Sequence, residues 1–389
     1  MTGFYDTLET RSADARAADQ LQALNAQLAA YDMAPVDDLS GLARLPVFRK
    51  SEMVEKQAAH PPFGGLPVQN AAHVFQSPGP IYEPGGISHD WWRIGRFLHA
   101  LGVGPDDIVQ NCFAYHLTPA GMISNRARGP WGGGAARRDR ADGIAGARRE
   151  GRRHDRVCGH ARLPEGDPRQ GRGDGRTLRI TRAAVGGGAL FPSLRQEYAD
   201  RGITCLQNYA TADLGNVAYE TPALEGMIVD EGVIVEIVRP GTGDPVPEGE
   251  VGEVVVTALN PDYPLIRFAT GDLSAVLPGQ SPCGRTNMRI KGWMGRADQT
   301  TKIKGMFVRP EQVADLVARH TEIGKARVIA TREGEMDVMT VQIEAAGGDA
   351  AAFAASVAET LKLKGTVEIV APGSLPNDGK VIDDQRSYD

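Results

Sequence analysis

The sequence predicts an α/β protein with a large N-terminal domain over residues 1–297 and a small α+β domain over residues 298–389. Its length of 389 residues is too great for one ordinary hydrophobic core and suits two domains. The last ninety residues also read as a separate series of helices and strands, enough for a small domain with its own core. The predicted boundary lies at Asp298, in the polar stretch GWMGRADQTTKIKG.

The N-terminal domain mixes helical and extended patterns. Apolar residues three and four positions apart predict helices over 12–31 and 89–101. A run rich in β-forming residues predicts a strand over 107–117, and SLRQEYADRG predicts a helix ended by Gly202. Further strands are predicted at AVGGGALFP, where a turn follows the strand, and at GVIVEIV and EVGEVVVTAL.

The small domain is predicted to contain two helices and three strands. The helices are PEQVADLVARH and AAFAASVAETLK, and the strands are KARVIATRE, DVMTVQIEA and TVEIVA. This order of elements is typical of a small α+β unit.

Residues 124–182 interrupt the pattern. These 59 residues contain 16 Arg and 12 Gly but no Lys, Phe, Tyr or Met, and their net charge is +9. No helical or strand periodicity is visible in them. Such a segment buries too little apolar surface to offset the entropy lost on ordering its backbone, so the sequence predicts disorder there.

Three interpretations of residues 124–182 remain open. The segment is a basic arm that binds RNA, a flexible insertion, or the product of out-of-frame translation between two compensating frameshifts in a GC-rich gene. Abrupt edges, Arg without Lys, and the lack of interleaved aromatic residues for base stacking favour the third. Translating the DNA in the other two frames tests it, because a Leu- and Val-rich stretch should then appear.

The overall composition argues against several classes of protein. No stretch reaches the roughly 18–20 apolar residues that span a bilayer, and the N-terminus has no apolar signal core. We therefore expect a cytoplasmic protein without a membrane partner. The net charge of −6 gives no reason to expect nucleic acid as a partner, and the four Cys residues are too widely spaced to suggest a zinc site or a disulfide framework.

Three short motifs carry the candidate chemistry. In RFATGDL, a strand leading into Thr-Gly-Asp leaves Asp272 exposed at its end, where the carboxylate can accept hydrogen bonds from both hydroxyls of a ribose. In GRADQTTKIKG, Arg296 offers a planar donor group to a sugar or phosphate oxygen, and in PNDGKVIDDQR, Lys380 lies on a loop tip. Taken singly, the motifs fit an ordinary β-turn, a charged surface loop and a solvated lysine at least as well.

In this order and spacing, the three motifs resemble those of the adenylate-forming superfamily of acyl-CoA synthetases. LPVFRKSEM, PPFGG, GGALFPSLRQEYADRG, NYATADLG and GRADQTTKIKGMFVRPEQV are similar to the phenylacetate–CoA ligase group of that superfamily. The resemblance covers residues 40–123 and 183–389. It implies a large adenylate-forming N-terminal domain with several sheets, followed by a small, mobile C-terminal domain.

The resemblance assigns roles to the motif residues. Asp272 matches the aspartate that binds ribose, and Arg296 matches the arginine near the ribose and phosphate. Asp298 matches the hinge about which the small domain rotates between two half-reactions. Lys380 matches the lysine that bridges carboxylate and α-phosphate oxygens, where a positioned ammonium stabilises negative charge in the transition state. Gly305 matches the loop that lines the pantetheine tunnel.

The resemblance also implies an adenine site. Its residues would be Gly187, Gly188, Ala189, Tyr209, Ala210 and Thr211. The glycine-rich turn would pack against adenine, Tyr209 would stack on it, and Thr211 would lie beside the α-phosphate. An ordinary turn at the end of a strand is the alternative interpretation of the glycines.

Two further matches concern the metal and the acyl group. Asp213 stands where the family usually has a magnesium-binding glutamate, and aspartate is a competent oxygen ligand that is one methylene shorter. Tyr115 and His116 fall near the acyl pocket by position. A buried aromatic residue and a hydrogen-bonded histidine without a binding role are an equally good interpretation of that pair.

The chain departs from the family in two places. The loop that holds the β- and γ-phosphates of ATP is usually rich in Ser, Thr and Gly and carries a lysine. Here Phe75–Gly86 reads FQSPGPIYEPGG, which lacks the Thr-Thr-Gly core and the lysine, and its prolines remove backbone donors. Residues 124–182 fall where the family builds part of the large-domain sheet and the acyl pocket. We therefore expect weak ATP binding, impaired folding and little activity.

The leading hypothesis is an AMP-forming acid–CoA ligase. Such an enzyme adenylates an aromatic or other hydrophobic carboxylic acid with ATP and Mg²⁺, and then forms a thioester with coenzyme A. The alternatives are an adenylating enzyme with a different acceptor and a catalytically impaired homologue that binds only nucleotide or acyl ligand. A homodimer is an expectation taken from the family.

Overall fold

The computed structural model of the chain describes residues 3–77, 80–104, 107, 109–126, 156–159, 180–188, 190, 192–297, 299, 301–304, 306–333 and 336–386. The α-helices in these residues are α1 Ala13–Ala30, α2 Met53–Ala59, α3 Gly95–Ala100, α4 Ala120–Arg126, α5 Pro192–Asp200, α6 Pro310–Ala318 and α7 Ala350–Thr360. Helix α1 begins after Ser12, whose side chain accepts a hydrogen bond from the Ala15 amide. The predicted helix over 12–31 is thus confirmed.

The N-terminal part of the chain contains fourteen strands in its described residues. They are β1 Phe48–Arg49, β2 His73–Ser77, β3 Ile81–Gly85, β4 Val109–Asn111, β5 Arg156–Gly159, β6 Arg182–Val185, β7 Thr204–Thr211, β8 Gly215–Glu220, β9 Met227–Val229, β10 Val233–Val238, β11 Gly252–Ala258, β12 Leu265–Ser274, β13 Val276–Leu277 and β14 Arg289–Ile290. These strands form several sheets, which agrees with the architecture expected from the sequence.

The largest sheet has eight strands in the order β13-β14-β9-β8-β7-β6-β5-β4. Strands β4 to β7 pair in parallel, whereas β7 pairs with β8 in the antiparallel direction. The register places Val185 of β6 opposite Gln207 of β7. The glycine-rich turn after β6 therefore lies beside the later part of β7. Ligands of open α/β sheets bind at this end of parallel strands.

A second sheet has the order β1-β12-β11-β10, and β2 and β3 form a separate antiparallel ribbon. Strands β10, β11 and β12 pair in the antiparallel direction, while the short β1 runs parallel to β12. Strand β12 carries Asp272, and β1 lies directly before Lys50. This sheet therefore carries several residues of the candidate site.

The small domain follows the predicted order closely. Its strands are β15 Thr301–Ile303, β16 Met306–Val308, β17 Lys325–Glu333, β18 Met336–Glu344, β19 Thr366–Val370 and β20 Ile382–Asp384. The main sheet has the order β19-β18-β17-β20, and the side chains buried in this part of the chain form one cluster from Ile303 to Ile382. Phe353 and Val357 of α7 are fully buried in that cluster. The small domain thus has a core of its own.

The segment 124–182 contains regular structure that its composition did not predict. Strand β5 lies inside it and pairs in parallel with β4 on one side and β6 on the other. The expectation that no strand forms there was wrong at residues 156–159, because parallel pairing uses backbone groups and places little demand on composition. Most of the remaining segment lies outside the described residues.

Two other predicted elements are shorter than expected. The helix predicted over 89–101 begins only at Gly95, because the Asp90 carboxylate accepts hydrogen bonds from the amides of Ile94 and Gly95, both at 2.9 Å. The strand predicted over 107–117 is limited to β4. No helix in the described part of the chain combines the length and apolarity needed to cross a membrane.

Candidate active site

Asp272 lies inside a strand rather than at its end. Strand β12 continues to Ser274, which pairs with Gly252 of β11, and Asp272 is only 8% exposed. The expectation of an exposed carboxylate at a strand end was therefore wrong. The cause is the continued pairing of β12 with β11, which the turn-like sequence Thr-Gly-Asp does not reveal.

Three side chains donate hydrogen bonds to the Asp272 carboxylate. Arg296 Nη1 and Trp293 Nε1 lie 2.8 and 3.1 Å from Oδ1, and the Tyr209 hydroxyl lies 2.9 Å from Oδ2. A backbone bridge also joins Asp272 to Arg296. Gly271 permits this approach, because it has φ 73° and a Cβ there would lie 2.8 Å from Arg296 Nη2. The fold thus brings together two residues predicted from separate motifs.

Tyr209 is buried beneath this carboxylate. Its hydroxyl also lies 3.0 Å from Thr270 Oγ1. Burial and the neighbouring Asp272 charge raise the pKa of Tyr209 well above its usual value, so the phenol keeps its proton and remains a donor. In this conformation Tyr209 donates a hydrogen bond to the Asp272 carboxylate. The stacking of Tyr209 on adenine, which the resemblance implies, stays a prediction.

The glycine-rich turn after β6 faces strand β7. A Cβ at Gly186 would lie 2.4 Å from Asn208 Oδ1, and Gly187 has φ 72°. Only glycine permits both the close approach and the left-handed backbone at this turn. Gly188 has no atom near an added Cβ, so that position faces open space. Ala189, which the sequence assigns to the same turn, lies outside the described residues.

An apolar cavity of about 180 Å³ opens beside this turn. Its walls come from helix α3, the chain after β4, the glycine-rich turn and the end of β7. The residues that line it include Phe97, Phe113, Ile123, Gly187, Ala210 and Thr211. Three residues predicted for the nucleotide site, Gly187, Ala210 and Thr211, therefore share one cavity with aromatic and aliphatic side chains suited to an apolar ligand.

Tyr115 and His116 lie next to the cavity in sequence but do not line it in the described part of the chain. The Tyr115 hydroxyl accepts a hydrogen bond from Asn111 Nδ2 at 2.8 Å, and His116 Nδ1 accepts one from the Leu117 amide at 2.8 Å. Phe113 lines the cavity instead. The assignment of Tyr115 and His116 to the acyl pocket stays a prediction.

Asp213 belongs to a buried polar cluster that also contains Lys50, Glu83, Ser77 and Tyr263. The Asp213 side chain is fully buried, and its Oδ2 lies 2.5 Å from the ammonium of Lys50. Its Oδ1 has no hydrogen-bond partner among the described residues. The Lys50 contact could not be predicted from local sequence, because the two residues lie 163 positions apart.

The assignment of Asp213 to a magnesium ion stays a prediction. Its buried Oδ1, which has no hydrogen-bond partner among the described residues, is the hard oxygen that such an ion would use. The described residues contain no group of three or more His, Cys, Asp or Glu side chains that could hold a metal ion. Magnesium is commonly bound by one or two carboxylates together with substrate phosphates, and Asp213 fits that partial role.

Glu83 lies where the altered phosphate loop meets this cluster. It is fully buried on β3, and the Ser77 amide donates to its Oε2 at 3.2 Å, while the Ser77 hydroxyl also donates to the carboxylate. Burial and the nearby Asp213 charge raise the pKa of Glu83 to about 7. A carboxyl group of this chain thus occupies the Ser77 donors in the loop where the resemblance would place the phosphates.

Lys380 lies on a loop that contacts the strand of Asp272. Gly379, the residue before it, has φ 73°, and a Cβ there would lie 2.8 Å from a Val251 methyl group and 3.1 Å from one of Leu273. The Lys380 ammonium is about half exposed and lies 2.9 Å from Asp383 Oδ1. Asp298 and Gly305, the predicted hinge and tunnel residues, lie outside the described residues.

Sequence reasoning missed two side chains that contact the predicted site residues. They are Lys50, which pairs with Asp213, and Trp293, which donates to Asp272. Trp293 stands three positions before Arg296 in GWMGR, so an aromatic residue beside the arginine motif was an available signal. Lys50 had no comparable local signal.

Comparisons with known proteins find similarity to acid–CoA ligases. No family model matches the chain. It is 26% identical over 332 residues to a phenylacetate–coenzyme A ligase of Thermus thermophilus, covering 79% of this chain and 72% of that ligase. It is also 26% identical over 385 residues to the phenylacetate–coenzyme A ligase of Escherichia coli, covering 87% and 84%.

The fold is shared with solved structures. A 2-hydroxyisobutyryl-CoA ligase in its postadenylation state, in complex with R3-HIB-AMP, matches with a TM-score of 0.63 and 22% identity over 97% of this chain and 91% of that one. The same ligase in its thioesterification state, with 2-HIB-AMP and CoA, matches with a TM-score of 0.58 at 22% identity over 98% and 92%. The chain therefore has the fold of these acyl-CoA ligases, and its sequence is similar to phenylacetate–CoA ligases over most of its length.

Proposed function

We propose that the chain is an AMP-forming acid–CoA ligase for an aromatic or other hydrophobic carboxylic acid. The observation that carries the proposal is the Asp272 carboxylate, which accepts hydrogen bonds from Tyr209 and Arg296. On β7, Tyr209 directly precedes Ala210 and Thr211, which line the apolar cavity. A buried carboxylate with fixed donors suits ribose recognition, and an apolar cavity suits the acyl group. The similarity to phenylacetate–CoA ligases also supports a site for a nucleotide together with a site for an acyl group.

The reaction has two steps. In the first, a carboxylate oxygen of the acid attacks the α-phosphorus of ATP, and pyrophosphate leaves. In the second, the thiol sulfur of coenzyme A attacks the acyl carbon, its proton is lost, and AMP leaves. Asp272 and Arg296 would hold the ribose, the glycine-rich turn and Tyr209 would bound the adenine, and Thr211 would lie near the α-phosphate.

Lys380 would stabilise the charge that builds up on the α-phosphate oxygens in the first step. A positioned ammonium in a site sheltered from water is effective in this role. Its exposed ion pair with Asp383 is weak, so the side chain can turn toward the nucleotide at low cost. Placing the lysine on a domain that rotates about Asp298, with Gly305 lining the thiol's path, would let it withdraw before the second step.

A magnesium ion, when bound, would neutralise phosphate charge. Asp213 would supply one carboxylate oxygen to it, and the phosphates would supply others. Lys50 already balances part of the Asp213 charge. The proposal also includes the cytoplasm as the location, where ATP and coenzyme A are available, and a homodimer as the working form.

The test measures pyrophosphate release with a panel of carboxylic acids, with and without coenzyme A. Release that yields a CoA thioester supports the ligase, whereas release with no thioester identifies a different acceptor. No release with any acid, together with retained AMP binding, identifies a catalytically impaired homologue and contradicts the proposal.

The Lys380→Ala variant examines the assigned role of the lysine. It should lose pyrophosphate release yet still form thioester from supplied acyl adenylate and coenzyme A. Lys364→Ala, which removes an exposed lysine elsewhere in the small domain, is the matched control and should leave both half-reactions unchanged. Equal loss of both half-reactions in Lys380→Ala would contradict the assignment.

A further inference from the structure

Gln299 binds the main chain of the Lys380 loop on both sides of the lysine. Its Nε2 donates to the Gly379 carbonyl at 2.8 Å, and its Oε1 accepts hydrogen bonds from the amides of Val381 and Ile382 at 2.6 and 2.7 Å. One amide side chain therefore satisfies three backbone groups around Lys380, from Gly379 to the first residue of β20.

Gln299 also occupies the connection between the two parts of the chain. Ala297, two residues earlier, donates its amide to the Gly271 carbonyl at 2.8 Å, next to Asp272. The following strand, β15, belongs to the small domain. Gln299 thus links the segment that holds the Asp272–Arg296 pair to the loop that carries Lys380.

The opposite side of the loop rests on the large domain. Gly379 lies against the side chains of Val251 and Leu273, so closely that a Cβ would require them to shift. Leu273 directly follows Asp272 on β12. The backbone of the lysine loop is therefore held between the Gln299 amide and the strand that would bind the ribose.

The Lys380 side chain is held far less firmly than its backbone. Its amide donates to Asp378 Oδ1 at 3.0 Å, and its ammonium meets the Asp383 carboxylate, with the lysine side chain 52% exposed. Exposed ion pairs contribute little to stability, whereas a fixed backbone removes most of the entropy that positioning a catalytic group costs. The arrangement fixes the base of the lysine and leaves its charged end free to move.

We propose that Gln299 is a positioning residue for Lys380 in the adenylation step. This inference rests on the proposed function, because it concerns the first of its two half-reactions. Loss of the amide frees three backbone groups around the lysine and lets the loop drift from β12. Thioester formation does not use Lys380, so it should not depend on Gln299.

The experiment compares Gln299→Ala with the wild-type protein in each half-reaction separately. Pyrophosphate release with ATP and phenylacetate should fall roughly 10- to 100-fold in kcat, with KM for ATP changed by less than about threefold. Thioester formation from supplied phenylacetyl adenylate and coenzyme A should stay within about twofold of wild type. Gln299→Glu keeps both acceptor contacts and should recover adenylation to within roughly fivefold.

A second readout follows the loop directly. Hydrogen exchange at the Val381 and Ile382 amides should be at least about tenfold faster in Gln299→Ala than in wild type, without faster exchange in β18. Gln342→Ala removes an exposed amide that bonds Glu368 elsewhere in the small domain, and it should change neither exchange nor activity.

The outcomes of these experiments distinguish an error in the proposed function from an error in the positioning role of Gln299. Wild-type protein that releases no pyrophosphate with any acid overturns the proposed function and the positioning role with it. Active wild type with unimpaired Gln299→Ala overturns the positioning role alone. Equal loss in both half-reactions, or lost adenylation without faster exchange at Val381 and Ile382, also overturns it.

Discussion

Trp293 shares one carboxylate oxygen of Asp272 with a guanidinium. The indole Nε1 lies 3.1 Å from Oδ1, although Trp293 is 51% exposed. Arg296 lies 2.8 Å from the same atom, and Tyr209 holds the other oxygen. A carboxylate has about four lone-pair positions, so a ribose that places two hydroxyls on Asp272 must displace one of these donors. The indole is the donor most easily displaced, because it is neutral and its bond to Oδ1 is longer than that of the Arg296 guanidinium.

Nucleotide binding should therefore change the fluorescence of Trp293. The emission of the wild-type protein should respond to AMP in titration, because the indole loses its contact with a carboxylate. The Trp293→Phe variant should bind AMP without that response, as measured by calorimetry alongside fluorescence. An identical fluorescence response in the variant would show that the signal comes from another tryptophan and that Trp293 is not displaced.

Replacing Asp272 with Asn should weaken AMP binding. Hydrogen bonds to a charged acceptor contribute about 1.5–3 kcal/mol each, so we expect a loss on the order of 10- to 100-fold in affinity. Calorimetric titration with AMP measures the effect. Asp200→Asn, an exposed carboxylate on α5, is the control and should bind AMP as the wild-type protein does. Unchanged affinity in Asp272→Asn would remove Asp272 from the ribose site.

Removing the Lys50 ammonium should destabilise the fold. Lys50→Met leaves the buried Asp213 carboxylate beside Glu83 without its cation, and breaking one side of a buried ion pair costs about 3 kcal/mol or more. Urea unfolding measures this loss. Adding Asp213→Asn to the same variant should restore most of the stability, because the uncompensated charge is then gone. If Lys50→Met alone is as stable as the wild-type protein, the Lys50–Asp213 ion pair does not form as the structure indicates.

Glu83 should make stability depend on pH. Its pKa is raised from 4.5 to about 7 in the folded chain, so the folded state binds the proton more tightly than the unfolded state. The stabilisation is fully present below about pH 4.5 and is lost as pH rises through 7, at a cost on the order of 3 kcal/mol. Glu83→Gln cannot titrate and should lack this loss.

Urea unfolding at pH 5 and pH 8 compares the two proteins. Between these values the wild type should lose more free energy of unfolding than Glu83→Gln does. If the free energy of unfolding changes equally with pH in the wild type and in Glu83→Gln, Glu83 does not have the raised pKa that its burial predicts.

The small domain was predictable because its segments carry strong local patterns. KARVIATRE matches β17 residue for residue. Its alternation of polar and apolar residues and its β-branched side chains are typical of a strand. The pairing of Asp272 with Arg296 was less visible, although both residues lie in recognisable motifs. The prediction that Asp272 is exposed at the end of a strand was wrong. The pairing of β12 with β11 buries it, and the sequence Thr-Gly-Asp does not indicate that pairing.

Contacts between distant segments were beyond sequence reasoning. The Tyr209 hydroxyl reaches Asp272 across 63 positions, and Gln299 reaches the Lys380 loop across about 80. Each contact depends on the register of strands and on the docking of a loop, and no local periodicity encodes either. A glutamine in the middle of a polar stretch carries no signal of its own.

Strand β5 has a consequence for substrate choice. In the described part of the chain, β4 joins the eight-stranded sheet through β5, and the residues after β4 form one wall of the apolar cavity. Another wall follows β6. Strand β5, four residues within an Arg- and Gly-rich stretch, therefore spaces the two strands that lead to Phe113 and Gly187. Under the proposed function, a change in that stretch that shifts β5 is expected to alter the selectivity among acids of different width.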